Sequence, residues 1–138
     1  MPANIPDVDE IARHCTPSWA MEKDDDGNLV GVKPEAFIVR WGKETGLSVQ
    51  WLQMLDADLA AAIIKCKQAW QEHRAVKRTD FLGILIVARV RGLEYGLDVQ
   101  HTIEFGPAHA DVTGITQQNQ GDVAKALSLL ARPVGMPA

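Results

Sequence analysis

The segment that most constrains this chain is Phe81-Leu-Gly-Ile-Leu-Ile-Val-Ala-Arg-Val-Arg91, an apolar run rich in β-branched side chains. It is too short and too continuous for a surface helix, so a largely buried strand is expected. Gly92-Leu-Glu-Tyr-Gly96 reads as a turn-like spacer. After it, Leu97-Asp-Val-Gln-His-Thr-Ile-Glu-Phe105 alternates apolar and polar side chains, the mark of a strand with one wet face. Together these segments predict a β-hairpin. In that register Leu97, Val99, Ile103 and Phe105 point inward, His101 shares their face, and Asp98 and Glu104 take the opposite one.

The residues before Asp80 read as helical. Asp7-Val-Asp-Glu-Ile-Ala-Arg-His-Cys15 opens with a capping residue and an acidic first turn and places Val8, Ile11 and Ala12 on one side, as a short amphipathic helix would. Asp24-Asp-Asp-Gly-Asn28 is a turn by composition, and Leu29 to Val32 can make only a short extended piece. Pro34-Glu-Ala36 suits the first turn of a helix running to about Lys43. Ser48 is placed to cap a further helix carrying Val49, Leu52 and Leu55, and Asp58 to cap the longest periodic run, Leu59 to about Val76, with Leu59, Ile63, Cys66 and Trp70 on one stripe. A last helix is expected from Asp122 to about Ala131. The fold class that follows is α+β: N-terminal helices packed on a C-terminal β-hairpin or small antiparallel sheet, with a short C-terminal helix.

At 138 residues the chain is the size of one domain, with 1–6 and 133–138 expected to be loose. Its 46% hydrophobic and 23% charged residues place it among folding chains rather than disordered ones. No apolar stretch is long enough for a membrane helix, and the first residues lack the pattern of an export signal, so a cytoplasmic location is expected. Cys15 and Cys66 are too few for a disulfide framework and read as reduced, partly buried thiols.

The groups able to move protons or hold a metal gather in His101-Thr-Ile-Glu104-Phe-Gly-Pro-Ala-His109-Ala-Asp111. The pair His101 and His109 with Glu104 or Asp111 could form a metal site or a general base oriented by a carboxylate, although an eight-residue gap across a Gly-Pro break matches no zinc spacing. The alternative is that both imidazoles merely fix the chain. Asp24, Asp26, Asn28 and Glu35 match four positions of a calcium loop, but Leu29 stands where that loop needs glycine, so an acidic turn is the better account. Trp19, Trp41, Trp51 and Trp70 read as core or interface rings. No phosphate loop, nucleophile elbow or zinc signature occurs, and no metal or cofactor is implied.

Charge is unevenly placed. Residues 65 to 91 hold seven basic side chains, Lys65, Lys67, Arg74, Lys77, Arg78, Arg89 and Arg91, against Glu72 and Asp80, a balance of +5 within a chain of net charge −4. Such a band could meet an acidic protein, an anion or nucleic acid, with Arg74, Lys77 and Arg78 at its centre, or could be a solvated helix face.

The order Gly27, Phe37, Leu47-Ser48-Val49, then Pro107-Ala108-His109-Ala110 and Gly114 resembles a pattern found in small bacterial proteins, some encoded near mobile elements, for which no activity is established. The resemblance spans about residues 10 to 115. It implies a bacterial cytoplasmic origin and a site centred on His109 and Ser48. From the residues themselves the favoured expectation is a binding or regulatory module acting on a protein or anionic partner, with a homodimer as one form and the membrane excluded. The rival is a small enzyme or ligand-binding protein using His101, Glu104, His109 and Asp111, with Ser48 at a helix N-terminus available to an anion.

Overall fold

The computed structural model describes residues 2–15, 21–39, 41, 46–74 and 81–135, with only the backbone described at residues 67 and 69–74. Its centre is a six-stranded antiparallel sheet of order β6-β7-β4-β1-β5-β8. These strands are β1 (Glu10–Cys15), β4 (Leu47–Trp51), β5 (Phe81–Ile86), β6 (Asp98–His101), β7 (His109–Thr113) and β8 (Arg132–Gly135). A separate hairpin joins β2 (Met21–Lys23) to β3 (Leu29–Val32). The α-helices are α1 (Leu52–Leu55), α2 (Leu59–Arg74), α3 (Val87–Arg91) and α4 (Gln120–Leu130).

The mixed α+β character agrees with expectation, but the arrangement of helices packed on a hairpin does not. The segment Glu10–Cys15 is a central strand, paired to β4 on one side and β5 on the other. Ile11 and Cys15 join one apolar cluster and Ala12 the other, so both faces are buried and the alternation that identifies a strand is erased. Pro34–Phe37 makes a single 3-10 turn in place of a helix. Ser48 caps nothing. It lies within β4, where Leu47, Val49 and Trp51 are buried and Ser48 and Gln50 half-buried, a period of two that the helical spacing of Val49, Leu52 and Leu55 conceals.

The longest helix does form, and Asp58 caps it as expected: its Oδ2 accepts from the Ala61 N–H at 3.1 Å. The strand starting at Phe81 is also present, but its apolar run turns helical at Val87. The expected hairpin does not form: β5 pairs with β1 and β8, while β6 pairs with β7 at the far side of the sheet. Strand β6 ends at His101, four residues early, with Ile103–Phe105 in a 3-10 turn. Chain that was expected inward at Ile103 and Phe105 is therefore exposed. Pro133–Gly135 belongs to β8, an edge strand, where a residue without N–H is tolerated.

The sheet buries both faces. On one side Ala12, Leu82 and Ile84 pack with Leu52, Ala62, Ile63 and Cys66 of α1 and α2. On the other, Ile11, Val49, Leu85 and Val112 join Phe37, Val32, Val123 and Leu127 from the 3-10 turn, the small hairpin and α4. Gly83 makes room for this second layer. A Cβ there would lie 3.3 Å from Phe37 Cζ and 3.4 Å from Val32 Cγ2. Arg13 is buried on the same face, its Nε donating to the Ala36 carbonyl and its Nη1 to that of Ser48, each at 2.9 Å, which ties β1 to the 3-10 turn and to β4. Among the described residues no helix is long and apolar enough to cross a membrane.

Candidate functional site

Antiparallel register decides what the chemically active side chains can share. His101 is the partner of Ala110 across β6 and β7, and neighbouring residues of a strand point to opposite faces, so His101 and His109 stand on opposite sides of the sheet. The two imidazoles do not form one site. Glu104 is exposed on the 3-10 turn.

His101 faces the larger core. It is 6% exposed, with its ring edge-on to Trp51 at 5.2 Å between centroids. Its Nδ1 accepts from the Ala3 N–H at 3.0 Å, and its Nε2 meets the Pro107 carbonyl at 2.8 Å. A carbonyl only accepts, so the ring carries its proton on Nε2. Trp51 itself donates to Asp9 Oδ2 at 2.8 Å.

His109, Asp111, Ser48 and Gln50 lie on the other face. Ser48 is the register partner of Asp111 and Gln50 that of His109, while Gln100 flanks Asp111 from β6. Ser48 thus sits opposite Asp111 and diagonal to His109, in a strand and not at a helix N-terminus. His109 Nδ1 meets Thr102 Oγ1 at 2.6 Å and lies 4.0 Å from Asp111 Oδ1, beyond hydrogen-bond reach. Among the described residues no group of three or more His, Cys, Asp or Glu is arranged to hold a metal ion.

The hydrogen bonds of both histidines converge on the connection 102–108. Thr102 N–H donates to the His109 carbonyl at 2.9 Å, Phe105 N–H to that of Thr102 at 3.0 Å, and Gly106 N–H and His109 N–H to those of Ile103 and Gly106 at 3.1 Å each. With Thr102 Oγ1 on one imidazole and Pro107 O on the other, the tip is braced from both faces. It presents Ile103 and Phe105, 42% and 54% exposed, on either side of Glu104, with the Phe105 ring 5.3 Å from that of His109. The sequence reading missed these two residues because it continued the alternation to Phe105. The Gly106-Pro107 break was the available signal that pairing had to stop earlier.

The basic band is accounted for at its ends. Lys65 Nζ holds Asp56 Oδ2 at 2.9 Å and the Leu55 carbonyl at 3.3 Å. Arg91 is engaged by Asp7 at 2.7 Å and Asp98 at 2.8 Å. The side chain of Arg74, and Lys77 and Arg78 altogether, lie outside the described residues.

The other motifs resolve as local structure. The Asp24 carboxylate accepts from the backbone of Asn28 and Asp26 and from the Asn28 side chain, and these bonds, the Asn28 N–H first, hold its carboxyl below the ordinary range. Cys66 lies with its Sγ 3.5 Å from His14 Nε2, and burial pushes its thiol up to about 12. Cys15, on the opposite face, is raised to about 11 by the same cause. Both are protonated at neutral pH, which excludes an activated thiolate. Trp51 is core, Trp41 is 41% exposed with its Nε1 on Gln120 Oε1 at 3.1 Å, and Trp19 and the Trp70 side chain are outside the described residues.

No family model matches the chain, and no curated protein or solved structure matches it either.

Proposed function

We propose that this protein is a binding module whose partner is another protein, engaged through the tip at 102–108. The observation that supports the reading is the exposure of Ile103 and Phe105 on a connection that both histidines brace. Large apolar side chains held rigid in solvent lose little entropy when they dock, which is the property of anchor residues at protein interfaces. The imidazoles, being on opposite faces, serve this tip as supports rather than as a shared reactive pair.

Glu104 between the two apolar residues defines the partner's chemistry: an apolar recess with a lysine or arginine at its rim. An acidic tip on a chain of net charge −4 argues for a protein over nucleic acid at this surface. The test is photo-crosslinking in cells, with benzoylphenylalanine replacing Phe105 and, as control, Leu129, which is 88% exposed on α4. A discrete adduct is expected from position 105 alone and is lost with Ile103→Asp. The partner identified from it, once purified, should bind at least about tenfold more weakly to Ile103→Asp and more weakly to Glu104→Arg. Identical adducts from both positions, or none from 105, would end the proposal.

A further inference from the structure

The chain's N-terminal segment, residues 2–7, is held beside β6 at two points of different chemistry. The inner anchor is ionic and apolar. Ile5 is buried in the larger core, its carbonyl accepts from Arg91 Nη1 at 2.7 Å, and Asp7 Oδ1 takes the same nitrogen at 2.7 Å. Arg91 continues onto β6, with Nε on Asp98 Oδ1 at 2.8 Å and Nη2 on the Val99 carbonyl at 3.1 Å, while the Val99 N–H donates to Asp98 Oδ1 at 2.7 Å. The outer anchor is a single bond, from Ala3 N–H to His101 Nδ1.

We infer that residues 2–7 form a strap whose outer end is latched by neutral His101 and released when that imidazole takes a second proton. The proton can enter only at Nδ1, because Nε2 already donates to Pro107. Protonation therefore turns the acceptor of the Ala3 bond into a donor, and two N–H groups then face each other. The groups packed around the ring are the Trp51 edge, the Pro107 carbonyl and the Ala3 amide, with the Asp9 carboxylate occupied by the Trp51 indole. Among the described residues the carboxylate approach to an imidazole within 4.0 Å is made at His109, not at His101. Among the described residues no carboxylate lies within 4.0 Å of the His101 ring to offset the new charge.

The other titratable groups along the strap are Asp7, Arg91 and Asp98. The Arg91 hydrogen bond holds the Asp98 carboxyl below its ordinary range, so that side of the clamp stays charged under mild acid. Nε2 also keeps its bond to Pro107. Release therefore frees Pro2 to Asn4 while the inner anchor and the tip stay in place. The bond is present while the ring is neutral and is lost when the ring is protonated.

Nuclear magnetic resonance at pH 7.5 and 5.5 tests this on the whole chain. At pH 5.5 the Ala3 amide should exchange roughly five- to tenfold faster relative to its intrinsic rate, the worth of one hydrogen bond. The heteronuclear NOE of Asn4 should fall, with Leu85 and Val99 amides unchanged. In His101→Asn the side-chain oxygen accepts at every pH, so Asn4 should stay ordered in both conditions. In Ala3→Pro the donor is gone, and Asn4 should be mobile in both; this variant decides alone if His101→Asn does not fold. Equal order of Asn4 at the two pH values in the natural chain, or a pH response that persists in Ala3→Pro, would overturn the strap.

Discussion

Single residues in this protein are often fixed by what surrounds them rather than by their own preference. Gly114 is the clearest case. Its φ is +94°, and a Cβ would stand 2.6 Å from the Gly96 carbonyl oxygen, so both the backbone conformation and the space exclude a side chain. Gly114→Ala should cost about 2–4 kcal/mol, measured by urea denaturation, and a cost below about 0.5 kcal/mol would mean that the turn relaxes freely. The two thiols make a second prediction. Their folded pKa values are raised, so the stability they contribute is complete below the ordinary thiol value of 9.0 and is lost as pH rises through about 11 to 12. The thermal midpoint should hold steady near pH 8 and fall above 9, and Cys15 and Cys66 should react with a disulfide reagent only after denaturant is added.

Elements show where the sequence could be read and where it could not. The helix after Asp58 was legible because its cap and its apolar stripe agree, and the start of β5 because an apolar β-branched run has few other uses. Strand β1 was hidden, since Val8, Ile11 and Ala12 happen to fall at helical spacing while burial on two faces removes any alternation. At the candidate site, the gathering of His101, Glu104, His109 and Asp111 was visible. Its division between two faces was not, because that depends on strand register. The edge strand β6 yields a prediction of its own: its outward carbonyl at Val99 is sealed by Arg91 and its N–H by Asp98. Arg91→Leu should destabilise the fold by about 1–3 kcal/mol and cause concentration-dependent association in sedimentation. A variant whose association state matches that of the natural chain would show that the edge is protected by other means. The exposed tip behaves oppositely. Ile103→Ser with Phe105→Ser should change stability by less than about 0.5 kcal/mol, a result that a denaturation curve can check.

For the whole molecule, acid should act in two stages. Strap release follows protonation of His101 and touches only residues 2–4. Loss of the charged Asp24, Asp56 and Asp98 carboxylates comes later, because bonds from Asn28, Lys65 and Arg91 respectively hold their pKa values below 3.8; the stability they add is present above that value and disappears as pH falls beneath it. Circular dichroism should therefore show an intact sheet at pH 5.5 and unfolding only below about 4. The place of β1 carries a temporal consequence. Its neighbours, β4 and β5, come from residues 47–51 and 81–86, so a ribosome must release the chain through residue 86 before β1 acquires both of its mates. Until then one edge of β1 has no partner, and the hazard of sticking to other nascent chains is greatest in that interval.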